Sequence, residues 1–162
     1  MYISNASIEI AASPELVREK FLDCSQLQTY HPNGFYKSIS TVTPNEPIQP
    51  GTKMVNVLEI MTAHATIEEN SPACFRWGGG IPGIFVGTHS FYFGSSTETR
   101  GGTTFIQEEK FTGIFTLLMG DNFIARVIGI LEKTMKGWKR YNKDLKVWCE
   151  RSNNENERHV VR

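Results

Sequence analysis

Apolar and polar residues change their period along this chain, and each change marks an element. Residues 7–12 alternate weakly, as a strand does, and lead into Ser13-Pro14-Glu15. There the serine can cap orphan amides and the proline presets the first helical φ. Leu16, Val17, Phe21 and Leu22 follow at helical spacing, which predicts a helix ending near Cys24, then a short second turn to Tyr30. His31-Pro32-Asn33-Gly34 stops it. From Phe35 to Thr112 the pattern becomes short runs parted by turn clusters, with strands expected near 36–43, 53–61, 63–70, 74–78, 88–94 and 103–112. An apolar link with Phe115, Leu117 and Leu118 leads to Gly120-Asp121, a turn and N-cap for a helix running to about Glu150. Ile124, Val127, Ile128, Leu131, Met135, Trp138, Asn142, Leu145 and Trp148 form its apolar stripe, and the helix would be about 45 Å long. The expected fold is α+β: a seven-stranded curved antiparallel sheet wrapped around a long C-terminal helix, with two short helices after the first strand. Residues 1–150 make that domain. Residues 151–162 are polar and aperiodic, so a disordered tail is expected there.

A strongly curved sheet cannot close fully onto a straight helix, so an internal cavity is expected between them, as the site of function. The composition agrees with a single core: 162 residues can bury roughly 70% of the surface of the unfolded chain without disulfides or a structural metal. The 17 basic and 17 acidic side chains cancel, which removes the usual reason to propose a nucleic acid or an anionic membrane as partner. No run of about 18 apolar residues occurs, so no integral membrane association is expected. Cys24, Cys74 and Cys149 are too few and too scattered for a disulfide framework or a CxxC zinc site, and they read as buried thiols in a reducing compartment. Together these features predict a soluble cytoplasmic protein.

The chemistry sits on two strands. His89, Phe91 and Phe93 share one face of residues 88–94, and Phe105, Gln107, Glu109 and Phe111 share one face of 103–112. The aromatic faces should turn inward. If Phe93 pairs with Phe105, antiparallel register sets Phe91 opposite Gln107 and His89 opposite Glu109, with Cβ atoms roughly 5 Å apart. A carboxyl group in an aromatic cavity has its pKa raised by desolvation, whereas a neighbouring imidazole stabilises its ionised form. Such a pair can trade a proton near neutral pH, taking an acidic C–H proton from a β-dicarbonyl and returning it to a carbonyl or leaving hydroxyl. The pair can equally be a satisfied buried contact, or Glu109 can face solvent beside Lys110.

Phe75, Trp77, Phe91, Phe93, Phe105, Met135 and Trp138 read as core and cavity wall, suited to a flat apolar ligand. Asn56, on the Met54, Leu58 and Ile60 face, Gln107 and Asn142 could orient that ligand or satisfy backbone. Gly78-Gly79-Gly80-Ile81-Pro82-Gly83-Ile84-Phe85 lacks the Gly-Lys-Ser/Thr of a phosphate loop and reads as a loop at the cavity mouth, with Ile84 and Phe85 as a lid, or as a plain linker. His31, His64 and His159 have no metal-ligand spacing, and neither a nucleophile elbow nor a dinucleotide fingerprint occurs, so no metal and no cofactor are expected. Lys133, Lys136, Lys139, Lys143 and Lys146 read as a solvated face.

Several stretches in this order resemble the helix-grip superfamily of START lipid-transfer domains, birch-pollen-allergen-like proteins and polyketide cyclase/dehydrase-like proteins (SRPBCC). They are Ile8-Glu9-Ile10-Ala11-Ala12-Ser13-Pro14-Glu15, Tyr30-His31-Pro32, Pro50-Gly51-Thr52, Phe75-Arg76-Trp77, Gly87-Thr88-His89-Ser90-Phe91, Gly102-Thr103-Thr104-Phe105, Glu109-Lys110-Phe111-Thr112-Gly113 and Tyr141-Asn142-Lys143-Asp144-Leu145-Lys146. The resemblance spans about residues 3–150. It implies a hydrophobic small-molecule ligand, polyketide-like or another secondary metabolite, and cofactor-free cyclisation, dehydration or isomerisation, with Glu109 as general base or acid and His89 as its orienting, proton-sharing partner. That family often carries a histidine at the position of Gln107, so this chain departs from it there. Relatives also include non-catalytic carriers of apolar metabolites or lipids and chaperone-cofactor-like modules, and both readings stay open beside the enzyme.

Overall fold

The structure is a computed structural model that describes residues 2–81, 85–112 and 121–160. Strand β1 (Tyr2–Ile10) is followed by helix α1 (Pro14–Leu22), a 3-10 turn (Cys24–Gln26) and helix α2 (Leu27–Tyr30). Strands β2 (Tyr36–Thr41), β3 (Lys53–Leu58), β4 (Thr62–Asn70), β5 (Cys74–Ile81), β6 (Phe85–Ser95) and β7 (Thr103–Thr112) come next, and helix α3 (Asp121–Val160) follows them. The strands form one antiparallel sheet in the order β1-β7-β6-β5-β4-β3-β2. The expected α+β order of one strand, two short helices, six strands and a long C-terminal helix is therefore the observed one.

Helix α1 starts where its cap requires. The Ser13 side chain accepts a hydrogen bond from Leu16 N, Pro14 occupies the first turn, and Val17 and Phe21 are buried. Losing that cap orphans an amide, so Ser13→Ala is expected to lower the unfolding free energy by about 1 kcal/mol, read by urea denaturation. The turn after α2 places Asn33 at φ 53, and Gly34 packs on the ring of His31 so closely that a Cβ there would stand 1.9 Å from Nε2.

Helix α3 is tied to the free edge of β1 by its own polar side chains. Asn142 Nδ2 donates to Ala6 O at 3.4 Å, Lys146 Nζ to Glu9 O at 2.6 Å, and Ala11 N donates to Glu150 Oε1 at 2.8 Å. These bonds satisfy edge groups that would otherwise offer a template for another strand. Its buried face in the described part runs through Thr134, Trp138, Tyr141, Asn142, Leu145 and Cys149. The stripe is thus centred nearer Tyr141 than the sequence suggests, and Trp148 lies at its margin, stacked on Tyr30 at 5.9 Å with Lys20 Nζ 5.6 Å from its ring.

Three segments depart from expectation. Strand β1 begins at Tyr2, because the positions it turns inward, Ser4 and Ala6, are small and carry little hydrophobic signal. Gly78, Gly79 and Gly80 are not a mouth loop but the end of β5, paired with Thr88, Gly87 and Val86 of β6. Gly79 must lack a side chain, since a Cβ would stand 2.4 Å from His64 O on the neighbouring strand. Helix α3, expected to end near Glu150, continues to Val160 through the stretch expected as a disordered tail. There Ser152 Oγ donates to Trp148 O and Asn153 Nδ2 to Ala11 O, contacts that composition does not reveal. Of the expected lid, Ile84 lies outside the described residues, as does the link at 113–120, and Phe85 stands at the start of β6.

Candidate functional site

The inward faces of β6 and β7 meet with Phe93 opposite Phe105, the condition on which the expected register rests, and so Phe91 stands opposite Gln107 and His89 opposite Glu109. Phe91, Phe93, Phe105, Gln107 and His89 are buried, and Glu109 is half-buried. Each end of this face has a different character.

At the α1 end the aromatic rings close on one another. Phe21 reaches from α1 into the middle of four expected wall residues, with ring centroids 5.6 Å from Phe75, 4.6 Å from Phe91, 5.4 Å from Phe93 and 6.0 Å from Phe105. Four phenylalanines around a fifth are packed core. Phe21 carries no signal that separates it from an ordinary amphipathic helix position.

Toward the other end the same face becomes polar. His89 stacks on Phe91 at 4.3 Å, with Trp138 of α3 at 4.7 Å and Trp77 of β5 at 5.9 Å. Next to it runs a buried hydrogen-bonded chain. Tyr36 OH donates to Gln107 Oε1 at 3.0 Å, Gln107 Nε2 donates to Asn142 Oδ1, and Asn142 Nδ2 donates to Ala6 O. The structure therefore brings together His89, Glu109, Gln107, Asn142, Trp138 and Trp77. Met135 is partly buried against the core, and Asn56 is buried on β3 with its Oδ1 unpartnered among the described residues.

The two titratable groups are poised in opposite directions. Burial pushes the Glu109 carboxyl up to about 7, and Oε1 lies over Gly87, 3.7 Å from where a Cβ would stand. Burial pushes the His89 imidazole down to about 3, a fall that Gln107 partly opposes. No hydrogen bond joins the two side chains among the described residues. The two groups therefore stand apart, without the hydrogen bond that the expected proton sharing would need among the described residues. Of the two, Glu109 is the one poised near neutrality, and desolvation holds His89 neutral. Its Nε2 is buried without a hydrogen-bond partner among the described residues.

Tyr36 and Tyr141 belong to this site and sequence periodicity hides both. Tyr36 has the same parity as exposed Ser38 and Ser40, but a register irregularity between Tyr36 and Ser38 turns it inward. Tyr141 packs edge-on against Tyr36 at 5.0 Å and its hydroxyl lies 3.1 Å from that of Tyr30. Beneath it, His31 Nδ1 lies 2.7 Å from Asp144 Oδ2, which joins the α2 turn to α3. His31 and Asp144 both fall in stretches that carry the family resemblance, and nothing in their spacing announces the contact. Among the described residues no group of three or more His, Cys, Asp or Glu side chains converges as a metal site would require, and no helix is long and apolar enough to cross a membrane.

No protein-family model matches the chain, and no curated protein matches it in sequence. Solved structures do match. The aromatase/cyclase Zhui from Streptomyces sp. R1128 superposes with a TM-score of 0.67 at 12% identity, covering 93% of this chain and 94% of its own. TTHA0849 from Thermus thermophilus gives 0.64 at 14% identity, covering 93% and 99%. Ara h 8.0201 gives 0.62 at 12% identity, covering 91% and 97%. At such identities the likeness concerns the fold. With the strand order and the gripping helix described above, it shows that the chain has the helix-grip fold.

Proposed function

We propose that the chain binds a flat, apolar small molecule between the concave face of its sheet and α3, and that Glu109 moves a proton on it in a cofactor-free cyclisation, dehydration or isomerisation. The observation that carries this reading is a half-buried carboxyl group pushed up to about 7 by burial, on the inward sheet face that also holds Trp77 and an imidazole nitrogen without a partner among the described residues, with Trp138 of α3 packed against that imidazole. A carboxyl poised near neutral pH is matched to general acid and base work at that pH. In its ionised form Glu109 removes an acidic C–H proton next to a carbonyl, and in its protonated form it delivers that proton to a carbonyl or a departing hydroxyl. His89, neutral, orients the substrate. The ring of Trp77 and that of Trp138 supply apolar surface beside both groups.

Turnover and carriage separate cleanly. A single titrating group in the site also suits a carrier, whose ligand would be recovered chemically unaltered from the purified protein. Recovery of a transformed product would count against carriage. Binding is common to both and is read from quenching of Trp77 and Trp138 fluorescence by flat apolar compounds. Saturable quenching is expected for the wild-type protein, with the affinity little changed in Glu109→Gln. A folded protein that none of them quenches would sink both readings and favour a protein-interaction module.

A further inference from the structure

Net charge conceals how the charges of this chain are distributed. Residues 133–151 carry seven Lys and Arg against two Asp and Glu, in a sequence whose 17 of each sign cancel. The rest of the chain is therefore acidic by as much as this part of α3 is basic. The helix gathers its cations on one side. Lys133, Lys136, Lys139, Lys143 and Arg151 are exposed, and with Arg140 they fall within an arc of roughly 120° that faces away from the buried stripe and runs for about 27 Å. No ion pair holds those five among the described residues. The carboxylates at the margins of the arc are mostly engaged: Asp144 with His31 and Arg140, and Glu150 with Lys146 and Ala11 N, which leaves exposed Glu132. Of the five lysines expected on a solvated face, Lys146 is withdrawn from it to Glu9 O.

We propose that this face of α3 docks the protein, without insertion, on a bilayer surface rich in anionic lipid headgroups. A plane meets a rod along a line, and the long stems of lysines on either side of that line bring their ammonium groups down to it. Each cation held near such a surface is worth about fivefold in affinity at modest ionic strength. The acidic remainder of the chain is repelled by the same surface, so α3 is the side that turns toward it. Composition favours lipid over a protein partner. Protein interfaces are depleted in lysine and built around apolar or aromatic centres, whereas lysine predominates here and Val147 is the one large apolar side chain exposed in the arc among the described residues. A single valine is also too little to sink the helix into the acyl region, so the contact is electrostatic and screened by salt. The proposal is independent of Glu109 and of the small-molecule ligand.

Co-sedimentation with vesicles tests it. At about 0.05 M salt the full chain should bind vesicles of phosphatidylcholine containing one-third phosphatidylserine at least tenfold more tightly than vesicles of phosphatidylcholine alone, and raising the salt to about 0.5 M should release it. Combining Lys136→Gln, Lys139→Gln and Lys143→Gln should weaken binding to the anionic vesicles about a hundredfold. Combining Lys37→Gln, Lys53→Gln and Arg100→Gln changes the net charge by the same amount on other parts of the molecule, and should weaken it less than tenfold. The three α3 lysines are exposed, so their replacement leaves the core intact, and circular dichroism checks that both variants are folded. No preference of the wild-type protein for anionic vesicles would overturn the proposal. Equal losses in the two variants would overturn it as well, by showing that net charge rather than this face governs binding. Attachment that survives the higher salt would mean insertion in place of docking by charge. Duplex DNA bound through the same three lysines, with the vesicles left unbound, would replace the bilayer by a nucleic acid.

Discussion

Replacing Phe21 by alanine is expected to lower the unfolding free energy by about 3–5 kcal/mol, the cost of removing a buried phenylalanine from a packed interior. Its ring is the common neighbour of Phe75, Phe91, Phe93 and Phe105, so those rings lose contacts with the same deletion. The neighbours sit on β5, β6 and β7, which pair with one another through long ladders and cannot collapse independently into the space. Most of the cavity should therefore persist, which sets the loss toward the upper end of that range. Against a total of about 5–15 kcal/mol for a domain of ordinary stability, such a loss is read directly as a lower urea midpoint. Phe21→Leu keeps much of the volume and should cost well under half as much. A loss below about 1 kcal/mol for Phe21→Ala would mean that the rings do not form a packed cluster, and would return all four to the wall of a ligand site.

That distinction is the one the sequence could not make. Alternation on residues 88–94 and 103–112 sets which side chains face inward, because a one-residue slip would put every aromatic ring in water, whereas His89 opposite Glu109 follows only once Phe93 meets Phe105, as it does. It could say which residues face inward but not what fills the interior opposite them. The ring of Phe21 comes from a helix far away in sequence, and periodicity within one element carries no trace of a partner in another. Polar contacts were hidden for a related reason. Gln107 and Asn142 could be placed on inward faces, yet their bond to each other, and the inward turn of Tyr36 at a register irregularity, depend on three elements meeting. The glycines at 78–80 failed in the opposite sense: composition suggests a loop, whereas the close approach of β4 makes a residue without a side chain necessary in a paired strand.

Glu109→Gln should abolish turnover and at the same time make the protein more stable, with the second effect depending on pH. A general acid/base group typically contributes 10²–10⁴-fold to a rate, so loss of this order is expected for whichever proton transfer the protein performs. The stability effect follows from the same burial. The folded protein holds the Glu109 proton until about pH 7, whereas the unfolded chain releases it near the ordinary glutamate value. The folded state thus binds more protons between those limits, and its stability falls as pH rises through them. Above pH 7 the wild-type protein carries the whole cost of the buried charge, on the order of 3 kcal/mol. The amide of glutamine carries none of it. The two proteins should therefore unfold at nearly the same urea concentration at pH 4, with the variant more stable at pH 8 by up to that amount. His89 acts in the reverse sense, because its folded value near 3 lies below that of the unfolded chain, so stability falls as pH drops through the imidazole range. Glu9, whose carboxyl is held low by Ser96 and Thr104, adds to that acid limb. Both contributions are common to the two proteins and cancel in their difference, since neither residue bonds Glu109. A difference that stays constant from pH 4 to pH 8 would mean that Glu109 titrates as an exposed glutamate does, and a carboxyl of that kind would be ionised near neutral pH, with too little of its acid form to deliver a proton there.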